Sequence, residues 1–408
     1  MTSTPAAGLI ELLHERAFVR VWLVGVCRGT AQWLEMLVAG VFAFELTGSP
    51  FMVALLFIAR LAPLTILGSL IGTFADRVSP RLILLTGFSF ATLTSLAVSL
   101  VLGFGVPSYW VVLIASVASG IVWTTDMPVR RRIVGDVAGT RRIVPAMSFD
   151  SATNHATRML GPLAGGIVYQ ALGPAGAYAL TAGLYFVAVV LIFHLRAGEA
   201  SKPATTAVPR LIGQIREGFA FSVGDRDVLR FLMVTIAFNV WGLPFITMIP
   251  VIGSEVLELS PAGVGALAAL EGAGAFLGAL SIAVARISFH QRRLYYFGTL
   301  FYVGLACLAG FMTDAPSMAL VLALIGFSLA GFSAMQSTLV YAIAPPEMRS
   351  RLFGLLVICI GTGLLGVVNM GLMGEWLGGA GAVRLVAAEG IVAIALIGLG
   401  WRELRAER

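Results

Sequence analysis

Apolar runs of about 20 residues, separated only by short charged or glycine- and proline-rich breaks, fill almost the whole chain. The first series lies at about 18–44, 51–73, 82–104, 108–128, 145–170 and 175–195; the second at about 231–252, 261–285, 294–312, 317–343, 352–374 and 383–401. A bilayer core about 30 Å thick takes about 20 residues of helix per crossing. Twelve such crossings account for most of the 408 residues. With 58% hydrophobic and 12% charged residues and a mean hydropathy of +0.94, the chain lies far from the roughly quarter-charged composition of a soluble domain. The expected fold is an all-α membrane protein.

The two series are divided by the longest polar stretch, 196–230, which carries one amphipathic segment, LIGQIREGFAF. The expected division is a six-helix bundle over 1–195, a cytoplasmic linker over 196–230 and a second six-helix bundle over 231–408. The halves echo each other, as DMPVRRRIVGDV follows the fourth run and APPEMRSRLFGL the tenth. Duplication of this kind places a binding site near the membrane midplane between the repeats in many secondary transporters.

Orientation follows from the basic residues, since loops rich in arginine and lysine stay cytoplasmic. All of them except Arg28, Arg60, Arg158 and Arg384 fall on one side, while Glu45, Glu255, Glu258, Asp314 and Glu375 mark the other. Both termini are therefore expected in the cytoplasm. The amino-terminal segment lacks the layout of a cleaved signal and is expected to remain as the start of the first helix. Cys27, Cys307 and Cys359 have neither metal-type nor redox-type spacing. No phosphate-binding loop of the G-x-x-x-x-G-K-[ST] type occurs, which excludes direct nucleotide-driven transport in its usual form. Nothing points to an enzyme, a cofactor, a metal or a nucleic-acid partner.

Between the second and third runs stands Gly72-Thr-Phe-Ala-Asp76-Arg77-Val-Ser-Pro-Arg81. It resembles the loop signature G-x-L-A-D-R-x-G-R-K of the major facilitator superfamily, with Phe74, Ser79 and Pro80 as departures. The resemblance implies two pseudo-symmetric six-helix bundles working by alternating access. It also implies a gating contact of Asp76 with the start of the eleventh helix near Arg349 or Arg351, worth about 0.3–2 kcal/mol between states. In the fifth run, Gly161-Pro162-Leu-Ala-Gly165-Gly166 resembles the end of the superfamily's exporter motif, although Thr157 replaces a glycine upstream. Taken with LTGSP at 46–50, Arg60 and Pro63, the arginine cluster after Pro128, and Asn154 followed by Arg158, the chain is similar to the enterobactin-exporter and macrolide-efflux branch. That likeness implies proton-driven efflux of a small siderophore- or drug-like compound; the expected setting is a bacterial inner membrane, and a monomer is the expected form. The fourth run lacks the arginine that many proton-coupled drug antiporters carry there.

Ionisable groups at membrane depth cost about 2.5–3.5 kcal/mol each on insertion scales and usually face a bundle interior or cavity. Arg28 and Glu35 share one face of the first helix; Arg60 falls in the second, Arg158 in the fifth and Glu271 in the eighth. Asn154, Asn239 and Gln336 add neutral hydrogen-bonding groups, and Trp33 and Trp241 add deep aromatic surface. One reading gives a cavity where Arg28 and Arg158 receive an anionic or catechol-like substrate and Glu35 or Glu271 exchanges a proton. The other reading pairs these charges structurally, and it is the favoured one for Arg60; Asp126 and Asp150, beside the arginine clusters, read as gate salt bridges. Two further functions stay open: import of a metabolite, and a non-transporting sensor or assembly protein.

Overall fold

The computed structural model describes residues 11–75, 78–195, 208–285, 291–401 and 404. Every regular element among them is helical. The elements are α1 (Arg16–Thr47), α2 (Pro50–Ala75), α3 (Pro80–Gly103) and a stretch Tyr109–Phe193 divided at Gly139 and Gly173 into α4 (109–138), α5 (140–172) and α6 (174–193). Then come α7 (Val208–Gly224), α8 (Arg226–Glu255), α9 (Pro261–Ala285), α10 (Gln291–Ala309), α11 (Ala315–Ile343), α12 (349–377, with a short irregularity near Thr362) and α13 (379–399). The segment LIGQIREGFAF lies within α7. Seven helical stretches among the described residues are long and apolar enough to cross a membrane, two of them containing the breaks at Gly173 and Gly378.

Local sequence explains where helices begin. Ser-Pro pairs open α2, α3 and α9, with proline supplying a helical φ and serine capping a free N–H. Ser49 Oγ accepts from Met52 N at 3.2 Å, Ser79 Oγ from Leu82 N at 3.3 Å and Ser260 Oγ from Gly263 N at 3.4 Å. At α8, Asp225 accepts from Asp227 N at 2.8 Å and Val228 N at 3.3 Å. At α11, Ser317 donates its O–H at 2.6 Å and its backbone N–H at 2.9 Å to Asp314. Those two bonds hold the Asp314 carboxyl below its ordinary value, so this cap persists above the usual carboxylate range and is lost as pH falls through the lowered pKa.

Gly173 (φ 67°, ψ −176°) and Gly378 (φ 71°, ψ 166°) break the helix between α5 and α6 and between α12 and α13. Both stand in the same short pattern, Leu-Gly-x-Ala-Gly-Ala, at 172–177 and 377–382. This backbone region is essentially restricted to glycine, and other residues there cost about 1–3 kcal/mol. Gly378→Ala is therefore expected to lower the unfolding temperature of the detergent-purified protein, read by tryptophan fluorescence. An unchanged transition would show that the turn tolerates a Cβ.

The chain divides into two compact units: Met1–Phe42, Ala59–Ala204 and Ser260–Ala269 form one, and Ala43–Ile58, Thr205–Leu259 and Leu270–Arg408 the other. The helices α2 and α9 thus contribute residues to both. One device recurs in each unit. Arg81, at the start of α3, donates to the Phe193 carbonyl at the end of α6, and Arg293, at the start of α10, donates to the Leu404 carbonyl at 2.7 Å. At the end of α6 the cation satisfies a carbonyl that the helix itself leaves unpaired.

Candidate functional site

In the first unit, charged side chains are organised in two layers across α1, α2, α4 and α5. In the upper layer Arg60 Nη2 lies 2.9 Å from Glu35 Oε1, and Ser119 Oγ donates to both Glu35 oxygens at 2.7 and 2.8 Å. Arg60 also donates to the Gln32 carbonyl at 3.1 Å. The α2 backbone reaches α4 because residue 120 is glycine: a Cβ there would stand 2.2 Å from the Arg60 carbonyl oxygen. Tyr178 lies fully buried in this neighbourhood, its hydroxyl without a hydrogen-bond partner.

In the lower layer Asp126 is held between Arg28 at 2.9 Å and Arg130 at 3.6 Å, and Arg130 also pairs with Asp150. Arg131 reaches the second oxygen of Asp150 at 3.7 Å. Glu35 and Asp126 are each only 1% exposed, so neither layer is a surface ion pair of negligible worth. Removing one partner from such a pair strands a buried charge, a loss of about 3–5 kcal/mol. The layers repeat with a common spacing: Arg28 and Glu35 are seven residues apart on α1, as are Ser119 and Asp126 on α4, about 10.5 Å along each helix. Small residues make room for them, since a Cβ on Gly25 would stand 2.9 Å from an Arg130 nitrogen and one on Gly29 2.5 Å from Thr157 Oγ1.

Arg158 makes an aromatic contact. Its guanidinium lies 4.7 Å from the centre of the Trp33 ring, whose indole N–H is buried without a hydrogen-bond partner. Asn154, one turn earlier on α5, has an exposed side chain. This is a cation held on an aromatic face, an arrangement whose attraction grows when water is excluded. The glycine motif of α5 is a crossing point. Gly161 packs on Trp33 and Thr30 and Gly165 on Leu34, while a Cβ on Gly166 would stand 2.4 Å from the Pro261 carbonyl and one on Gly265 2.5 Å from that of Pro162. These are the close backbone approaches that small residues permit between membrane helices.

In the second unit Glu271 is 2% exposed on α9. Close approach to α11 is again glycine-mediated, as a Cβ on Gly326 would meet the Glu271 carbonyl oxygen at 1.8 Å and one on Gly274 the Ala323 carbonyl oxygen at 1.9 Å. The Tyr295 hydroxyl shares a 2.7 Å hydrogen bond with Thr235, and Gln336 Nε2 is buried without a hydrogen-bond partner among the described residues. Asn239 is buried and donates to the Thr235 carbonyl at 2.8 Å. Around them stack Phe231, Phe238, Tyr295, Tyr302 and Phe332, with Phe238 and Phe332 centroids 3.9 Å apart. Trp241, two residues beyond Asn239, instead donates to Glu389 on α13 at 3.1 Å.

Of the gating-loop residues, Asp76 and Arg77 lie outside the described residues and Gly72 falls within α2. Arg81 caps α6 as described and stands 5.7 Å from the Phe193 ring. Arg349 donates to the carbonyls of Ala344 and Tyr341 at 3.3 and 3.2 Å, and Arg351 pairs at 2.8 Å with Glu217 of α7. Sequence reasoning overlooked Ser119, Thr235 and Tyr295, because hydroxyl residues are common in membrane helices and carry no pattern of their own. Asp126 and Arg130, by contrast, stand at the i, i+4 spacing of a helical ion pair.

The sequence matches the transmembrane secretion effector family over residues 8–406, and the chain belongs to that family of the major facilitator superfamily. It is 24% identical over 360 residues to the uncharacterised MFS-type transporter YfiS of Bacillus subtilis, covering 85% of this chain and 84% of that one. It is also 24% identical over 200 residues to the staphyloferrin A transporter of Staphylococcus aureus, covering 48% and 49% of the two chains. Its fold is similar to that of the POT family transporter PepTSo, with TM-score 0.75, 14% identity and coverage of 96% of this chain and 99% of that one. It also resembles the nucleoside transporter NupG, with TM-score 0.72, 12% identity and coverage of 97% and 100%. The chain is a membrane transporter of the major facilitator type, and not an enzyme.

Proposed function

We propose that this transporter exports a small anionic or amphipathic compound of siderophore type, by proton antiport through alternating access. In this reading a monomer crosses the bacterial inner membrane twelve times as two six-helix bundles over 1–195 and 231–408, with both termini cytoplasmic and no cofactor. The observation that carries the substrate class is Arg158 on the face of Trp33. A permanently charged guanidinium beside an aromatic surface suits a carboxylate or catecholate ligand, offering hydrogen bonds to its oxygens and stacking to its rings. The likeness to a staphyloferrin A transporter supports the siderophore class, and the description of the family as secretion effectors supports export.

The test is reconstitution in liposomes containing a pH-sensitive dye, with an imposed proton gradient and a panel of siderophores, antibiotics and small metabolites. Substrate-dependent proton movement with an anionic siderophore is the expected result. Arg158→Gln should raise KM for that substrate at least tenfold, and Glu271→Gln should abolish proton movement while leaving the protein folded. Silence across the panel with folded protein would overturn the reading, and unaltered coupling in Glu271→Gln would pass the proton to another carboxyl.

A further inference from the structure

Glu389 stands in an unusual place for a carboxyl group. The helix α13 covers 379–399, about 31 Å of rise, and Glu389 is at its centre, about 15 Å from either end. That length matches the hydrocarbon thickness of a bilayer and puts the carboxyl near mid-depth. Its face of the helix is apolar and uncovered: Leu385, Val392, Leu396 and Leu399 are 41%, 58%, 64% and 71% exposed. Positions 385, 389, 392, 396 and 399 follow the alternating four- and three-residue steps of a single helical stripe. Glu389 is exposed within it, whereas Arg28, Glu35, Arg60, Asp126 and Glu271 are all buried.

The surroundings of Glu389 are shaped. The helix α8 passes through a π turn at Phe238–Gly242 and a 3₁₀ turn at Leu243–Met248, where Pro244 lacks the N–H needed for a regular ladder. Single π turns inside α-helices recur at functional sites. Trp241 lies in this turn and packs on Gly390, where a Cβ would stand 2.6 Å from the Trp241 Cβ. The missing side chain brings the indole beside α13 and directs Nε1 to Glu389 Oε2 at 3.1 Å. The indole leaves the other carboxylate oxygen available, with a half-buried aromatic ring alongside.

We propose that Glu389 and Trp241 form a binding site, open to the lipid phase, for the cationic group of a lipophilic amine or quaternary ammonium compound. The carboxylate supplies the counter-charge, the indole supplies a cation–π surface, and the apolar stripe receives the ligand's hydrocarbon body. Among the described residues no cation pairs with Glu389, and a cation dissolved in the bilayer likewise lacks a counter-ion, so contact remedies both. This site is separate from the Arg158–Trp33 pair and does not rest on the anionic substrate proposed for it.

The experiment uses full-length protein in nanodiscs and dicyclohexylcarbodiimide, an apolar reagent that adds to protonated carboxyl groups reached from lipid, with modified peptides identified by mass spectrometry. Tetraphenylphosphonium serves as the lipophilic cation and tetraphenylborate as its anionic counterpart. Glu389 should be labelled, and tetraphenylphosphonium should reduce labelling at least fivefold while tetraphenylborate does not. Direct binding of tetraphenylphosphonium, measured by equilibrium dialysis, should weaken at least tenfold in Glu389→Gln and severalfold in Trp241→Leu. Absence of labelling would overturn the proposal, as would labelling that cation and anion affect alike. A dimer of the parent protein that dissociates in Glu389→Gln would likewise overturn it, by assigning the carboxyl to an interface between copies. None of these readouts requires transport, so silence in the siderophore assay leaves them intact.

Discussion

Arg60→Ala is expected to destabilise the protein by about 3–5 kcal/mol, the loss typical of breaking a buried ion pair from one side. The cause is what remains behind. Glu35 would keep its two bonds from Ser119 but lose the cation 2.9 Å away, in a site where it is 1% exposed. Thermal unfolding followed by intrinsic fluorescence, together with the monodisperse yield after extraction, would show the effect as a sharply lowered midpoint and reduced folded protein. The paired change Glu35→Gln with Arg60→Met should recover most of the loss, since replacing both members of a buried pair by groups of similar shape is often close to neutral. A single variant as stable as the parent would mean that the pair contributes nothing. The double variant also separates structure from transport. If it folds but moves no protons, the Glu35–Arg60 pair takes part in coupling; if it folds and transports normally, the upper layer is architectural.

Gly326→Ala should be nearly as damaging despite adding one methyl group. The new Cβ would fall 1.8 Å from the Glu271 carbonyl oxygen and 2.8 Å from Ala275 N. Both are backbone atoms, so no rotamer change relieves the clash and the axes of α9 and α11 must separate. Overpacking of this kind costs about 1–3 kcal/mol, and here it also displaces the helical turn that carries Glu271. The matched control is Gly304→Ala on α10, where a Cβ meets nothing within 4 Å and the gain in helix propensity is about 1 kcal/mol. A lowered unfolding temperature for Gly326→Ala beside an unchanged or raised one for Gly304→Ala is the expected pair of results. Equal behaviour of the two would show that the α9–α11 crossing is not tight.

The helical class and the helix starts were open to a reader of the sequence, because a twenty-residue apolar period and a serine followed by proline each have local causes. The residues of the two charge layers were likewise visible, since an arginine or glutamate interrupts an apolar run conspicuously. Their partners were not. Glu35 is held by Arg60 from α2 and Ser119 from α4, and no spacing along the chain encodes which helices adjoin. The Leu-Gly-x-Ala-Gly-Ala repeat is plain in the letters but acquires meaning only from the positive φ of Gly173 and Gly378. Trp241 teaches a different lesson. Proximity in sequence to Asn239 suggests a shared site, but residues two apart on a helix point about 200° apart, and the π turn carries the indole to α13 while Asn239 remains buried.

The two charge layers of α1 and α4 also constrain how this chain can change over generations. A lone substitution at Glu35, Arg60, Arg28 or Asp126 strands an opposite charge in the interior, so drift at these positions must proceed through paired replacements or not at all. Related sequences that lack an acid at position 35 should therefore also lack the cation at position 60, and those without Asp126 should have lost or relocated Arg28. The interior of the first unit is a matter of joint inheritance, in which a residue is retained on account of the company it keeps.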